Sequence, residues 1–245
     1  MKKLTVEDLY YPNRKRLGSI IAGLSGAGKT TAVLSTLQQA INSKSFGEFH
    51  RFIIVDPKIQ QGDYDLLGEP ISDLEKAFTS IRKERVTVFW PNVNDLEYEV
   101  STLINYLFDL SNTNPRTTFT FVLDEASILI TPTKIPAAIK KLAVQGRAKR
   151  ILPIWISQRP IVNRWTDCNV SSMLLFRVLP VDADVLSKRW GLDFEKADTI
   201  LQEQNYSFMW FDLEKASLTK MNPVELPKPS RKKKRTMKDK FLSLI

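Results

Sequence analysis

The stretch Gly23-Leu24-Ser25-Gly26-Ala27-Gly28-Lys29-Thr30 constrains this 245-residue chain more than any other. It fits the pattern G-x-x-x-x-G-K-[ST] in the required context, with an apolar run at 18–22 before it and helical spacing at 29–41 after it. Glycines at 23, 26 and 28 let the backbone turn its N–H groups inward around phosphate oxygens, and the start of the helix adds the positive end of its dipole. Lys29 then reaches the β- and γ-phosphates. The Thr30 hydroxyl coordinates Mg²⁺, a cation that takes oxygen ligands and keeps several waters. The expected cofactors are ATP and magnesium, with Gly23, Ser25, Gly26, Ala27, Gly28, Lys29, Thr30 and Thr31 as the nucleotide-binding set. The competing reading is a glycine-rich turn that happens to precede a helix.

Further buried strands are predicted at 51–55, stopped by Asp56-Pro57, at 86–90, stopped by Pro91, and at 117–123, 151–157, 172–178 and 207–211. Helical stripes occupy 94–110, ending in the breaker cluster 111–115, then 136–150 with Pro136 in the first turn and Gly146 as a possible early stop, 182–190 and 194–202. Strands alternating with helices predict a three-layer α/β fold on a mainly parallel sheet. Residues 1–225 read as one domain and 226–245 as a flexible tail.

Hydrolysis needs a positioned water as well as a clamped phosphate. The strand at 117–123 delivers Asp124-Glu125 at its C-terminal end, where ligands sit in open α/β sheets. Asp124 suits magnesium, and Glu125 suits a base that polarises the attacking water. An ordinary helix-initiating acid is the bland alternative. Gln158, at the end of the apolar strand 151–157, is placed to hydrogen-bond the γ-phosphate or that water.

The net charge of +9 suggests nucleic acid until it is located. With the eight cations and the single acid of residues 228–245 set aside, 28 basic residues face 26 acidic ones, so the body carries only about +2. The basic tail suits DNA, an anionic membrane, an acidic partner or plain solubility, and it ends in an apolar cluster at 241–245. One cysteine, Cys168, and one histidine, His50, exclude an internal disulfide and a His/Cys zinc cluster. Cys168 reads as a small semi-buried side chain, and His50 as structural. No apolar run approaches the ~20 residues of a membrane span, so an intracellular protein is expected.

The strand with Asp124-Glu125, then Gln145-Gly146-Arg147, then the strand ending Ser157-Gln158-Arg159-Pro160, resembles the FtsK/HerA superfamily of DNA-pumping ATPases. The similarity spans roughly residues 18–215 and is most like the genome-packaging ATPases of double-jelly-roll viruses. The resemblance implies a RecA/ASCE-like P-loop NTPase fold, an Asp124/Glu125 pair, Gln158 as sensor, and a homo-oligomeric ring, commonly a hexamer, with ATP between subunits. It also implies an arginine supplied by the neighbour, with Arg147 the first choice and Arg150, Arg159 and Arg164 behind it. Implied partners are double-stranded DNA and a capsid or portal protein, in the host cytoplasm or at a virion packaging vertex. The stretch 130–141, with Lys134, Lys140 and Lys141, follows the catalytic residues directly and reads as a DNA-facing region, a solvated helix face being the alternative. A plasmid or chromosomal DNA pump, a small-molecule kinase and a non-catalytic assembly protein stay open at this point.

Overall fold

The structure, a computed structural model, describes residues 3–5, 9, 18–59, 63–160, 163–191, 193, 197 and 206–224. Six parallel strands, β1 (Ser19–Ala22), β2 (His50–Val55), β3 (Val86–Phe89), β4 (Thr118–Leu123), β5 (Ile151–Ser157) and β6 (Ser172–Leu175), join β7 (Phe208–Asp212) and β8 (Ser217–Met221), which run antiparallel. The order across the sheet is β3-β2-β4-β5-β1-β6-β7-β8. The helices are α1 (Lys29–Asn42), α2 (Leu74–Lys83), α3 (Leu96–Thr113), α4 (Ala137–Gln145), α5 (Arg164–Asp167) and α6 (Pro180–Trp190).

Side-chain alternation along the strands sorts the core into two layers. Ile20, Ala22, Ile53, Val55, Phe121 and Leu123 face one way, under α2, α3, α4 and α6. Ile21, Phe52, Ile54 and Val122 face the other, under α1, whose Val33, Leu37 and Ala40 are fully buried. The predicted three layers and mainly parallel sheet are thus observed.

Several predicted limits shift for identifiable reasons. Helix α3 runs through Ser111 and Asn112 to Thr113, past the expected stop. Burying Val100, Leu103, Ile104, Leu107 and Phe108 is worth roughly 1.5–3 kcal/mol for each large apolar side chain. The poorer propensity of those polar residues costs only about 0.7 kcal/mol apiece. The helix predicted to reach 150 ends at Gln145 with Gly146 as its cap, and residues 146–150 turn back into β5. Pro136 sits at the N-cap, ahead of the first turn. Helix α2, the short α5 and β8 have no counterpart in the prediction. The helix expected at 194–202 and the basic tail lie outside the described residues.

His50 is structural, as anticipated. Its two ring nitrogens meet Thr118 Oγ1 at 2.7 Å and Thr120 Oγ1 at 2.9 Å across the β2–β4 pair. Burial, with Arg85 and Arg51 nearby, lowers its pKa to about 3. A histidine neutral when folded but free to charge when unfolded loses stability as pH falls from its unfolded pKa of about 6.5 toward 3. This group alone should make the protein about 2 kcal/mol less stable at pH 5 than at pH 8. Urea midpoints at the two pH values, in wild type and in His50→Gln, measure that share: the pH dependence should shrink in the variant, and an unchanged dependence would contradict it.

Candidate functional site

The strand order brings the site together. Strand β5 lies between the loop strand β1 and the acid-bearing strand β4, so Gln158 emerges between the glycine-rich loop and Asp124-Glu125. The loop is pinned where it leaves β1: Gly23 N–H donates to Ser157 O at 3.2 Å, and Leu24 N–H to Arg177 O at 2.7 Å. Gly23 has φ +153°, and a Cβ there would stand 2.5 Å from the Phe176 Cβ, so no other residue fits. Gly28, at φ +99°, caps the start of α1.

Ser25, Gly26, Gly28, Lys29, Thr30 and Thr31 line a cavity of about 750 Å³ that Lys58, Glu125 and Gln158 also line. Two residues of the predicted nucleotide-binding set belong to the loop but do not line this cavity. Gly23 is buried with its N–H spent on Ser157, and Ala27 donates its N–H to Leu24 O at 3.2 Å and packs against the core under α1. Lys29 is buried, its Nζ donating to Gly23 O at 2.6 Å and Leu24 O at 2.9 Å. Burial lowers its pKa, and the nearby carboxylates Glu125 and Asp124 act against that.

Glu125 and Gln158 meet: Gln158 Nε2 donates to Glu125 Oε1 at 3.1 Å. Glu125 is held at φ +47°, a left-handed backbone uncommon outside glycine and concentrated at functional sites. Asp124 is buried, with every oxygen engaged. Its Oδ1 accepts the Glu125 N–H at 2.8 Å, and its Oδ2 accepts the Tyr64 hydroxyl at 3.0 Å and faces Lys58 Nζ at 2.8 Å. Burial opposes the charge on Lys58, but Asp124 and Asp63 outweigh it and raise its pKa above that of a free lysine. Lys58 was missed in the sequence, as was Tyr64. The signal available was Asp56-Pro57-Lys58 at the C-terminal end of a buried parallel strand, read only as a strand stop.

The sequence assigns magnesium to Thr30 and Asp124. Of these, only Thr30 lines the cavity, and Asp124 stands behind Lys58 and Tyr64. The described residues contain no group of three His, Cys, Asp or Glu side chains able to hold a metal unaided. Magnesium carried in on phosphates and water would fit an oxygen-only set of this kind, with the Thr30 hydroxyl as the cavity residue that would hold it.

The arginines separate clearly. Arg150 ties α3 to the start of β5, donating to Ser111 O, to Ser111 Oγ at 2.9 Å and to Thr117 O at 3.2 Å. Arg159 is clamped on Asp182 of α6, through Nε at 3.2 Å and a second nitrogen at 2.6 Å. Arg164 lies over the Trp165 ring at 4.8 Å. Arg147 is exposed in the turn before β5. Of the lysines, Lys134 pairs with Glu97 at 2.9 Å, while Lys140 and Lys141 lie over the rings of Trp165 and Phe108 at 3.9 and 4.3 Å. Cys168, expected to be semi-buried, is exposed on the turn after α5. No described helix is long and apolar enough to cross a membrane.

A glycine-rich phosphate loop on β1, with the acid-bearing strand one strand removed, defines the fold of P-loop ATPases. Among solved structures, the genome packaging NTPase B204 from Sulfolobus turreted icosahedral virus 2, in complex with AMPPCP, matches with a TM-score of 0.64 at 16% identity, over 84% of this chain and 97% of that one. VirB4 of Thermoanaerobacter pseudethanolicus matches with a TM-score of 0.62 at 13% identity, over 85% and 89%. The cytoplasmic domain of the Thermomonospora curvata Type VII secretion ATPase EccC matches with 0.57 at 15% identity, over 94% of this chain but 28% of that one. At these identities the likeness is one of fold. No family model matches the sequence, and no curated protein matches it significantly.

Proposed function

We propose that this chain is a magnesium-dependent ATPase that moves double-stranded DNA, most specifically a viral genome-packaging motor. The observation that carries the reading is the contact between Glu125 and Gln158 beside the phosphate loop. A base for water and an amide that senses its position stand together in one cavity with Lys29, which is the equipment for transfer of phosphate to water. The fold shared with a genome packaging NTPase solved with ATP analogues supports the same direction.

The motor is a homo-oligomeric ring, a hexamer, in which a neighbour supplies the arginine that stabilises charge on the γ-phosphate. Arg150 and Arg159 are committed within their own subunit, which leaves the exposed Arg147 as first choice for that role and Arg164, over the Trp165 ring, behind it. DNA is held by its phosphates, which suits movement of any sequence. Lys140 and Lys141 rest on aromatic rings that leave their charge intact, whereas Glu97 neutralises Lys134. The basic tail adds a tether to DNA, to a capsid or portal protein or to an anionic membrane surface, and the working place is the host cytoplasm or the packaging vertex.

ATP turnover measured with no phosphate acceptor present should be detectable and should rise on addition of double-stranded DNA, with the DNA-stimulated part falling as salt rises. Turnover appearing only with a small-molecule acceptor would make the protein a kinase and defeat the proposal.

A further inference from the structure

The phosphate loop has two sides, and the reaction accounts for only one. Along the C-terminal edge of the sheet, the order β4-β5-β1-β6-β7 puts Glu125 and Gln158 on one flank of the loop and the ends of β6 and β7 on the other. Strand β7 is antiparallel, with Met209 opposite Leu175, so the residue that leads into it, Tyr206, emerges at the same edge as the loop. Tyr206 lines the cavity shared by Lys29, Thr31 and Glu125. Its ring lies against Gly28: a Cβ added to that glycine would sit 3.3 Å from Tyr206 Cδ1. The side chain is nevertheless 59% exposed, on a backbone held at φ +63°. A large aromatic kept in the left-handed region, against a glycine and open to a polar cavity, does nothing evident for the core.

A nucleoside triphosphate has a fixed order of parts. With its terminal phosphate toward Glu125 and Gln158, the remainder of the molecule leaves the loop on the far flank, past Gly28 and Thr31, where Tyr206 presents its ring. We propose that Tyr206 is the platform on which the heterocyclic base of the bound nucleotide stacks. This rests on the reading of the cavity as a nucleoside triphosphate site and adds the part that recognises the base. Stacking reads a π-face that every base offers, so adenine and guanine nucleotides are both accepted.

The test is equilibrium binding of Mg-ATP, Mg-GTP and inorganic tripolyphosphate to the full chain and to Tyr206→Phe and Tyr206→Asn. Asparagine tolerates the left-handed backbone, so that variant removes the ring while sparing the turn. The expected result is about a tenfold weaker affinity of Tyr206→Asn for both nucleotides, unchanged tripolyphosphate binding, and near-wild-type behaviour of Tyr206→Phe. Unchanged nucleotide affinity in Tyr206→Asn would overturn the stacking role alone. An equal loss for tripolyphosphate would also overturn it, because the ring would then be shaping the loop through Gly28. Wild-type protein that bound neither nucleotide nor tripolyphosphate would instead bring down the nucleotide site itself, and this proposal with it.

Discussion

Glu125→Gln should hold nucleotide as tightly as wild type and turn it over about 10²–10⁴-fold more slowly, the range a positioned general base contributes. The two side chains share a shape, so the amide can still accept the Gln158 hydrogen bond now made at 3.1 Å. What disappears is the ability to draw a proton from water. The substitution also removes a carboxylate that acts on buried Lys29, so the polyphosphate meets less negative charge and binding is not weakened. Steady-state phosphate release and an equilibrium dissociation constant, measured on the same preparation, separate the two effects. Wild-type turnover in Glu125→Gln would move the base to another residue, and lost binding would make Glu125 part of the nucleotide grip.

Removing Lys58 should be the most damaging single change to stability near the site. Asp124 is buried, and Lys58 is its partner at 2.8 Å, itself only 17% exposed in the side chain. Deleting one member of a buried pair leaves the other charge stranded, which costs about 3 kcal/mol or more. A surface pair would cost about 1 kcal/mol at most. Lys58→Ala should therefore lower the urea midpoint by far more than a surface substitution. The double variant Lys58→Ala/Asp124→Asn should regain most of the loss, because a neutral amide can keep the Tyr64 hydrogen bond and needs no counter-ion. Turnover should stay low in both. A single variant within the surface range would mean that the pair is not buried in solution.

The parts of the fold that were legible in the sequence are those encoded locally. Strand β1, the loop and α1 are contiguous, β4 alternates threonine with phenylalanine before Val122 and Leu123, β5 is apolar up to Ser157, and each ends on the polar residues that matter. Their meeting point followed because all three ends lie on one edge of a parallel sheet. Features that depend on distant partners were illegible. Lys58 and Tyr64 acquire their role only by reaching Asp124, 66 and 60 positions away in the chain. Ser111 looked like a helix breaker, yet its hydroxyl donates to Lys149 O, and the contact belongs to the turn before β5. Tyr206 gave no sign at all, since an isolated tyrosine before a short strand is unremarkable until β7 is seen to run backwards beside β6.

The end of β5 has one further consequence. Gln158 and Arg159 are consecutive, yet they serve different neighbourhoods: the first touches the acid at 125, and the second grips Asp182 on α6. One peptide unit thus hinges two regions of the molecule. Displacing Gln158 along the strand axis also moves the backbone that carries Arg159, so a change at the reacting end of the cavity pulls on the clamp to the outer helix.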